Sequence, residues 1–270
     1  MRTSRAFTLI ELLVVIVIIA LLAVMMVVVA APFQRKAQMV QATASLKQLS
    51  SGLLNYTGSH DGELPLLGEE SPQWGAPKDE EAKNAWYNSV PVLAGGRALS
   101  SFEAREEFYN KNNLLFIPAA KYPTDKASHP YFAIAMNEKL FPKRTASPDG
   151  ASSTASVRLQ NMQQATRTVV FFESGVPGEK LLAGQSAYKG NPSGWASTVA
   201  ARYGVSDSKK VEDQNESLTN IVFGDGHVET LPAKSVIDPK GGAYYPQLEQ
   251  SNPRGGKVSW TLDPDTNPNG

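Results

Sequence analysis

The sequence has no cysteine at any of its 270 positions, which excludes a disulfide framework and leaves stability to a packed core. Neither sign of charge is in excess, since 26 Lys and Arg face 26 Asp and Glu. That balance offers no basic patch for nucleic acid, and no nucleic-acid partner is predicted. Histidine is scarce: His60, His129 and His227 are the only three. There is no Gly-x-Ser-x-Gly elbow, no phosphate-binding loop and no dinucleotide fingerprint. No catalytic residue is assigned, and the chain is not read as an enzyme. No internal repeat is present.

What the chain does have is one long apolar run, Phe7 to Ala31, whose single charge is Glu11. From Leu12 to Ala31 no residue is charged, and about 20 apolar residues suffice to cross a bilayer as a helix. A carboxylate near the bilayer centre costs roughly 2.5–3.5 kcal/mol, and each Leu, Ile, Val or Phe returns about 0.3–0.6 kcal/mol. The run therefore tolerates Glu11 without explaining it, and an intramembrane acid calls for a named partner. If the chain is cut between Ala6 and Phe7, Glu11 becomes the fifth residue and the new amine at Phe7 is a cation in the same apolar layer. Arg2 and Arg5 put the N-terminus in the cytoplasm and everything after Ala31 outside. The competing reading is an ordinary secretory signal cut near Val28-Val29-Ala30. Such signals have shorter apolar cores, about 7–15 residues.

Pro32 should kink or locally open the helix. Beyond it Met39, Ala42, Leu46, Leu49, Leu53 and Tyr56 recur at steps of three and four, the stripe of an amphipathic helix. Gly58 to Gly62 supplies the stop. Glu63 to Asn84 reads as a surface loop. Ser100 and Glu103 have capping-box spacing ahead of a short helix reaching Phe108 or Lys111. Tyr131 to Met136 and Arg167 to Glu173 read as strands. A short helix is predicted from Trp195 to Tyr203, stopped by Gly204. In Asn220 to Leu231 two strand patterns flank Gly224-Asp225-Gly226, a hairpin signal. The stretch from Pro239 on is weakly patterned. Trp74, Trp86, Trp195 and Trp260 sit in loop-like contexts, where edge packing is preferred over partner contact.

Arg5-Ala6-Phe7-Thr8-Leu9-Ile10-Glu11 with its apolar run resembles the processing site of type IV prepilins and type II secretion pseudopilins. Ala6 stands where the family usually has Gly. The resemblance implies cleavage between Ala6 and Phe7 by a prepilin peptidase, N-methylation of Phe7, and Glu11 as the assembly residue. It implies a single-pass inner-membrane precursor, then a periplasmic or cell-surface homo-oligomeric filament. An assembly ATPase and a platform membrane protein would serve it. The division implied is a leader over 1–6, a transmembrane and assembly helix over 7–59, and a globular pilin-like domain over 60–270. The fold expected is α+β, a long N-terminal helix packed on an antiparallel sheet. The alternative is a signal-anchored periplasmic enzyme or binding protein.

Asp225-Gly226-His227-Val228-Glu229 resembles the closing motif of a pilin-like processing-associated domain, and Thr168 to Glu173 its central strand. Asn215 stands where that family has its leading His, and Ile117-Pro118 where relatives often have Cys-Pro. As a metal ligand His227 would need company from Asp225, Glu229, Glu173 or Asp213. Hydrogen bonding within the tight turn is the preferred reading, with Asp225, Gly226 and His227 as a structural hairpin motif. Some pseudopilins hold calcium in an outer loop, and Asp207, Glu212 and Asp213 could supply oxygen ligands. No Asp-x-Asp repeat supports that, and no metal or cofactor is predicted.

Overall fold

The computed structural model describes residues 8–68, 72–103, 105–110, 112–123, 130–141, 156–177, 179, 199–204, 216–237 and 258–266, with the backbone alone for 26–32. Helix α1, Leu9–Ser59, has 51 residues and is about 75 Å long at 1.5 Å per residue. Its backbone runs helical through Pro32, so the expected opening there is not a break; one proline removes only one intrahelical hydrogen bond. The apolar stripe is its buried face. Ala42, Leu46, Leu49 and Leu53 are wholly buried and Tyr56 nearly so, against β3, β4 and α3 defined below. The helix stops as expected, with one difference. Asp61 (φ 51°) is left-handed as well as Gly62 (φ 81°), and the Gly62 N–H donates to the Thr57 carbonyl at 2.8 Å. A short polar side chain tolerates that conformation, and the returning bond satisfies an orphan carbonyl.

The remaining elements are α2 (Glu80–Lys83), α3 (Trp86–Leu93), α4 (Arg105–Phe108), β1 (Ile134–Met136), β2 (Val169–Glu173), β3 (Leu218–Phe223) and β4 (Val228–Pro232). The four strands pair antiparallel in the order β1-β2-β3-β4. The predicted α+β arrangement of a long helix and an antiparallel sheet is the one observed. A register shift between Val169 and Phe171 marks a bulge in β2. It turns Val170 and Phe171 both toward the helix-side core, between Val169 and Phe172 on the other side.

Strands β1, β2 and β3 are buried on both faces, and β4 is the more open edge. On the helix side Ile134, Met136, Phe171 and Val222 meet Leu46, Leu49, Trp86, Tyr87 and Phe132 in one cluster. On the other side Ala135, Phe172, Ile221, Phe223 and Leu231 pack with Val199, Val236, Ile237, Val258 and Trp260.

Several expectations change. Glu63 to Asn84 is not simply surface: Leu64 and Ala82 are buried, and α2 lies within it, its Asp79 side chain capping the Ala82 N–H at 2.7 Å. Helix α3 has no amphipathic pattern long enough to announce it, and it carries Trp86 fully buried rather than in a loop. Ser100 lies in a 3-10 turn, Leu99–Ser101, whose backbone N–H is taken by Asn88 Oδ1. It is not the cap of α4. The predicted helix 195–203 is replaced, over its described part, by an extended strap. Val199 bridges Ser174 and Tyr203 bridges Leu218. Ordering against the ends of the inner strands β2 and β3 satisfies backbone groups that a short isolated helix would leave open. The weakly patterned C-terminal stretch returns as residues 258–266, where Ser259 bridges Thr168 and the Trp260 indole donates to the Val236 carbonyl at 2.9 Å.

Candidate functional site

Three places carry the chemistry that the sequence singled out or concealed. The first is the start of α1. Every described side chain from Thr8 to Met25 is exposed, Leu9 by 82% and Met25 by 64%. No other described element covers this half of the helix, an apolar surface far larger than soluble monomers leave open. Among the described residues no helix is long and apolar enough to cross a membrane. Residues 9–25 alone fall short of the roughly 20 needed, and the side chains that continue the run, 26–31, are outside the described set. Ala6 and Phe7 also lie outside it.

Glu11 is not idle within its own chain. Its Oε2 accepts from the Thr8 backbone N–H and from the Thr8 hydroxyl, both at 2.8 Å, while the Glu11 N–H donates to Thr8 Oγ1 at 3.3 Å. This is a capping box, Thr with Glu three residues on, closing the orphan amides at the helix start. That signal was legible as Thr8-x-x-Glu11, beneath the more conspicuous question of an acid in an apolar run.

The second place is the turn Gly224–His227. His227 Nδ1 lies 2.6 Å from Asp225 Oδ1, and its ring stacks on Phe223 with centroids 4.3 Å apart. The Asp225 carboxylate also accepts the His227 N–H at 3.1 Å. Gly226 (φ 91°) seats the turn on α1, where Ser50 Oγ donates to its carbonyl at 2.5 Å. A Cβ at Gly226 would fall 2.6 Å from Leu54 Cδ1, so both the left-handed backbone and the close approach require glycine. The turn is a clasp between hairpin and helix. Glu173, proposed as company for His227, is engaged elsewhere. Asp207, Glu212 and Asp213 are outside the described residues. Among the described residues no group of three or more His, Asp or Glu could hold a metal.

The third place was not anticipated as a unit. Arg202 on the strap is buried with two carboxylates. Its Nη1 donates to Glu173 Oε2 at 3.0 Å; Nε and Nη2 donate to Glu179 at 3.0 and 2.7 Å; Nη2 also reaches the Ser174 carbonyl at 2.6 Å. Glu179 accepts further from the Val176 and Lys121 amides, each at 3.0 Å. Glu173 accepts from the Tyr203 hydroxyl at 3.2 Å and from Asn220 Nδ2 at 2.6 Å. Asn220 Oδ1 in turn accepts from Thr230 at 2.6 Å and lies 3.1 Å from the Thr43 hydroxyl on α1. One polar seam thus ties α1, β2, β3, β4, the strap and the segment before β1. Burial pushes the Glu173 carboxyl up, against the opposing pull of Arg202 and its hydrogen bonds. Burial also works against the charge of Glu179, but Arg202 and the donated hydrogen bonds prevail and hold it below the ordinary range. Burial raises the Tyr203 phenol, reinforced by Glu173. No single position in the sequence signals this cluster, because its members are joined only by folding.

The long helix on an antiparallel sheet, with half the helix bare, defines the architectural class. Residues 1–27 match the family described as the prokaryotic N-terminal methylation motif. That match supports a type IV pilin-like N-terminus of the kind that prepilin peptidases process. No curated protein and no solved structure matches the chain.

Proposed function

We propose that the chain is a filament subunit, a pilin or pseudopilin of a type IV pilus or type II secretion system. The observation that carries this reading is the methylation motif over residues 1–27, set on a helix half that no described part of the chain covers. The precursor inserts in the inner membrane through the run 12–31, leader inside. A prepilin peptidase cuts between Ala6 and Phe7 and methylates the new amine. The subunit then exchanges lipid for the matching helices of other copies, drawn out by an assembly ATPase and platform protein. Glu11 meets the amine of a neighbouring Phe7 in the apolar layer, where either charge alone would be costly. Before assembly the Thr8 donors hold the same carboxylate, so that it is never without a partner.

Mass spectrometry of the mature N-terminus tests this. The expected first residue is N-methylated Phe7. A chain starting at Ala31, or an intact Met1, would instead mark a signal-anchored periplasmic protein.

A further inference from the structure

Among the described residues, the buried cluster around Arg202 has two acids for one base. Side-chain exposure is 0% for Glu173, 1% for Arg202 and 4% for Glu179. Glu179 takes the larger share of the guanidinium, with two donors on its two oxygens and two backbone amides besides. Glu173 receives one guanidinium N–H, one amide N–H from Asn220 and the phenol of Tyr203. With both acids ionised, the cluster would hold one negative charge that no described cation offsets, which burial penalises heavily. We propose that Glu173 is held as the neutral acid in the folded protein, the cluster keeping one proton for its two carboxylates, so that folding takes up a proton and the outer domain gains stability as the pH falls.

The geometry accommodates that proton. Glu173 Oε2, which also accepts from Arg202 Nη1 at 3.0 Å, lies 3.2 Å from the Tyr203 oxygen; a proton on Oε2 reverses that bond, the phenol oxygen then accepting, while Oε1 still accepts from Asn220. Among the described residues, the titratable groups in contact with Glu173 are Arg202 and Tyr203 from the strap, and Glu179, from the loop after β2, shares Arg202 with it. Tyr122 is a further titratable neighbour from the segment before β1, acting on Arg202, Glu179 and Tyr203. The other contributors are uncharged: Asn220 from β3, Thr230 from β4, Thr43 from α1, and Ile134, which faces Glu173 in the β1–β2 register. Two tyrosines kept neutral by burial add no charge to offset the second carboxylate.

The direction follows from linkage. A folded-state carboxyl raised above its ordinary value near 4.5 contributes stability that is complete below that value and fades as the pH rises through the folded one. Glu179, held low, works oppositely, but its contribution is lost only below the ordinary carboxylate range. Between these limits the excess proton on Glu173 sets the sign. The inference does not depend on the filament reading, since it concerns the outer domain whatever the chain assembles with.

The experiment is urea unfolding of the full chain in a nonionic detergent, across about pH 5–8, followed by the fluorescence of buried Trp86 and Trp260. Wild-type protein is expected to lose up to about tenfold in its folding equilibrium constant per pH unit relative to Glu173→Gln, in which that slope vanishes. Parallel profiles for the two would overturn the proposal. Should Glu173→Gln not fold, the infrared spectrum of the wild-type chain at neutral pH decides. A carboxylic-acid carbonyl stretch supports the proposal, and its absence sinks it.

Discussion

The most instructive residues are those whose polar atoms have been taken from water. Arg202 and its two carboxylates were present in the sequence only as one arginine between Gly/Ser-rich stretches and two acids near a strand end. Their meaning depends on a separation of 29 residues between Glu173 and Arg202 closing to 3.0 Å. Thr219 is the opposite case. It is fully buried in β3, and among the described residues its hydroxyl has no hydrogen-bond partner. A valine has the same shape without the hydroxyl and keeps the β-branch that strands favour. Thr219→Val should therefore stabilise the domain by about 1 kcal/mol, read as a rise in the urea midpoint with an unchanged slope. A loss of stability would mean that the hydroxyl has a partner after all.

Among the elements, α1 was the most legible, because a stripe repeating every three or four residues can only be one face of a helix. The hairpin of β3 and β4 was nearly as plain from Gly224-Asp225-Gly226. Helix α3 was not, since eight residues with Pro91 inside give too short a pattern. Its position is set by α1, and the contact has little slack. A Cβ at Gly52 would lie 2.4 Å from the Val90 carbonyl oxygen and 2.9 Å from the Ala94 methyl. Alanine gains about 1 kcal/mol of helix propensity over glycine, yet overpacking costs roughly 1–3 kcal/mol. Gly52→Ala is thus expected to lower stability by up to about 2 kcal/mol on balance. A gain in a chemical denaturation series would show that α3 gives way freely.

For the whole molecule, the bare half of α1 and the covered sheet divide the work. Among the described residues the strands have packed neighbours on both faces of the sheet, while residues 9–25 are left uncovered. Glu11→Val should leave the precursor in the membrane fraction and abolish filaments sheared from cells. The same substitution also removes the capping box, worth about 1 kcal/mol locally. Thr8→Ala is the control, because it breaks the cap and keeps the acid. Filaments from Thr8→Ala but not from Glu11→Val would place the role of Glu11 between subunits. Unchanged filaments from Glu11→Val would remove that role.

By itself the sequence determined what repeats locally or obeys steric rules within a few residues. That covers the length and apolar face of α1, its stop at Gly58 to Gly62, the hairpin turn, and the motif at residues 1–27. Only the tertiary structure decided that the 199–204 strap lies extended across the ends of β2 and β3, that Trp260 seals the far face, and that Arg202 sits between Glu173 and Glu179. The reason is physical. Backbone periodicity is written in neighbouring residues, but the cost of burying a charge is settled by whichever distant groups the fold brings to it.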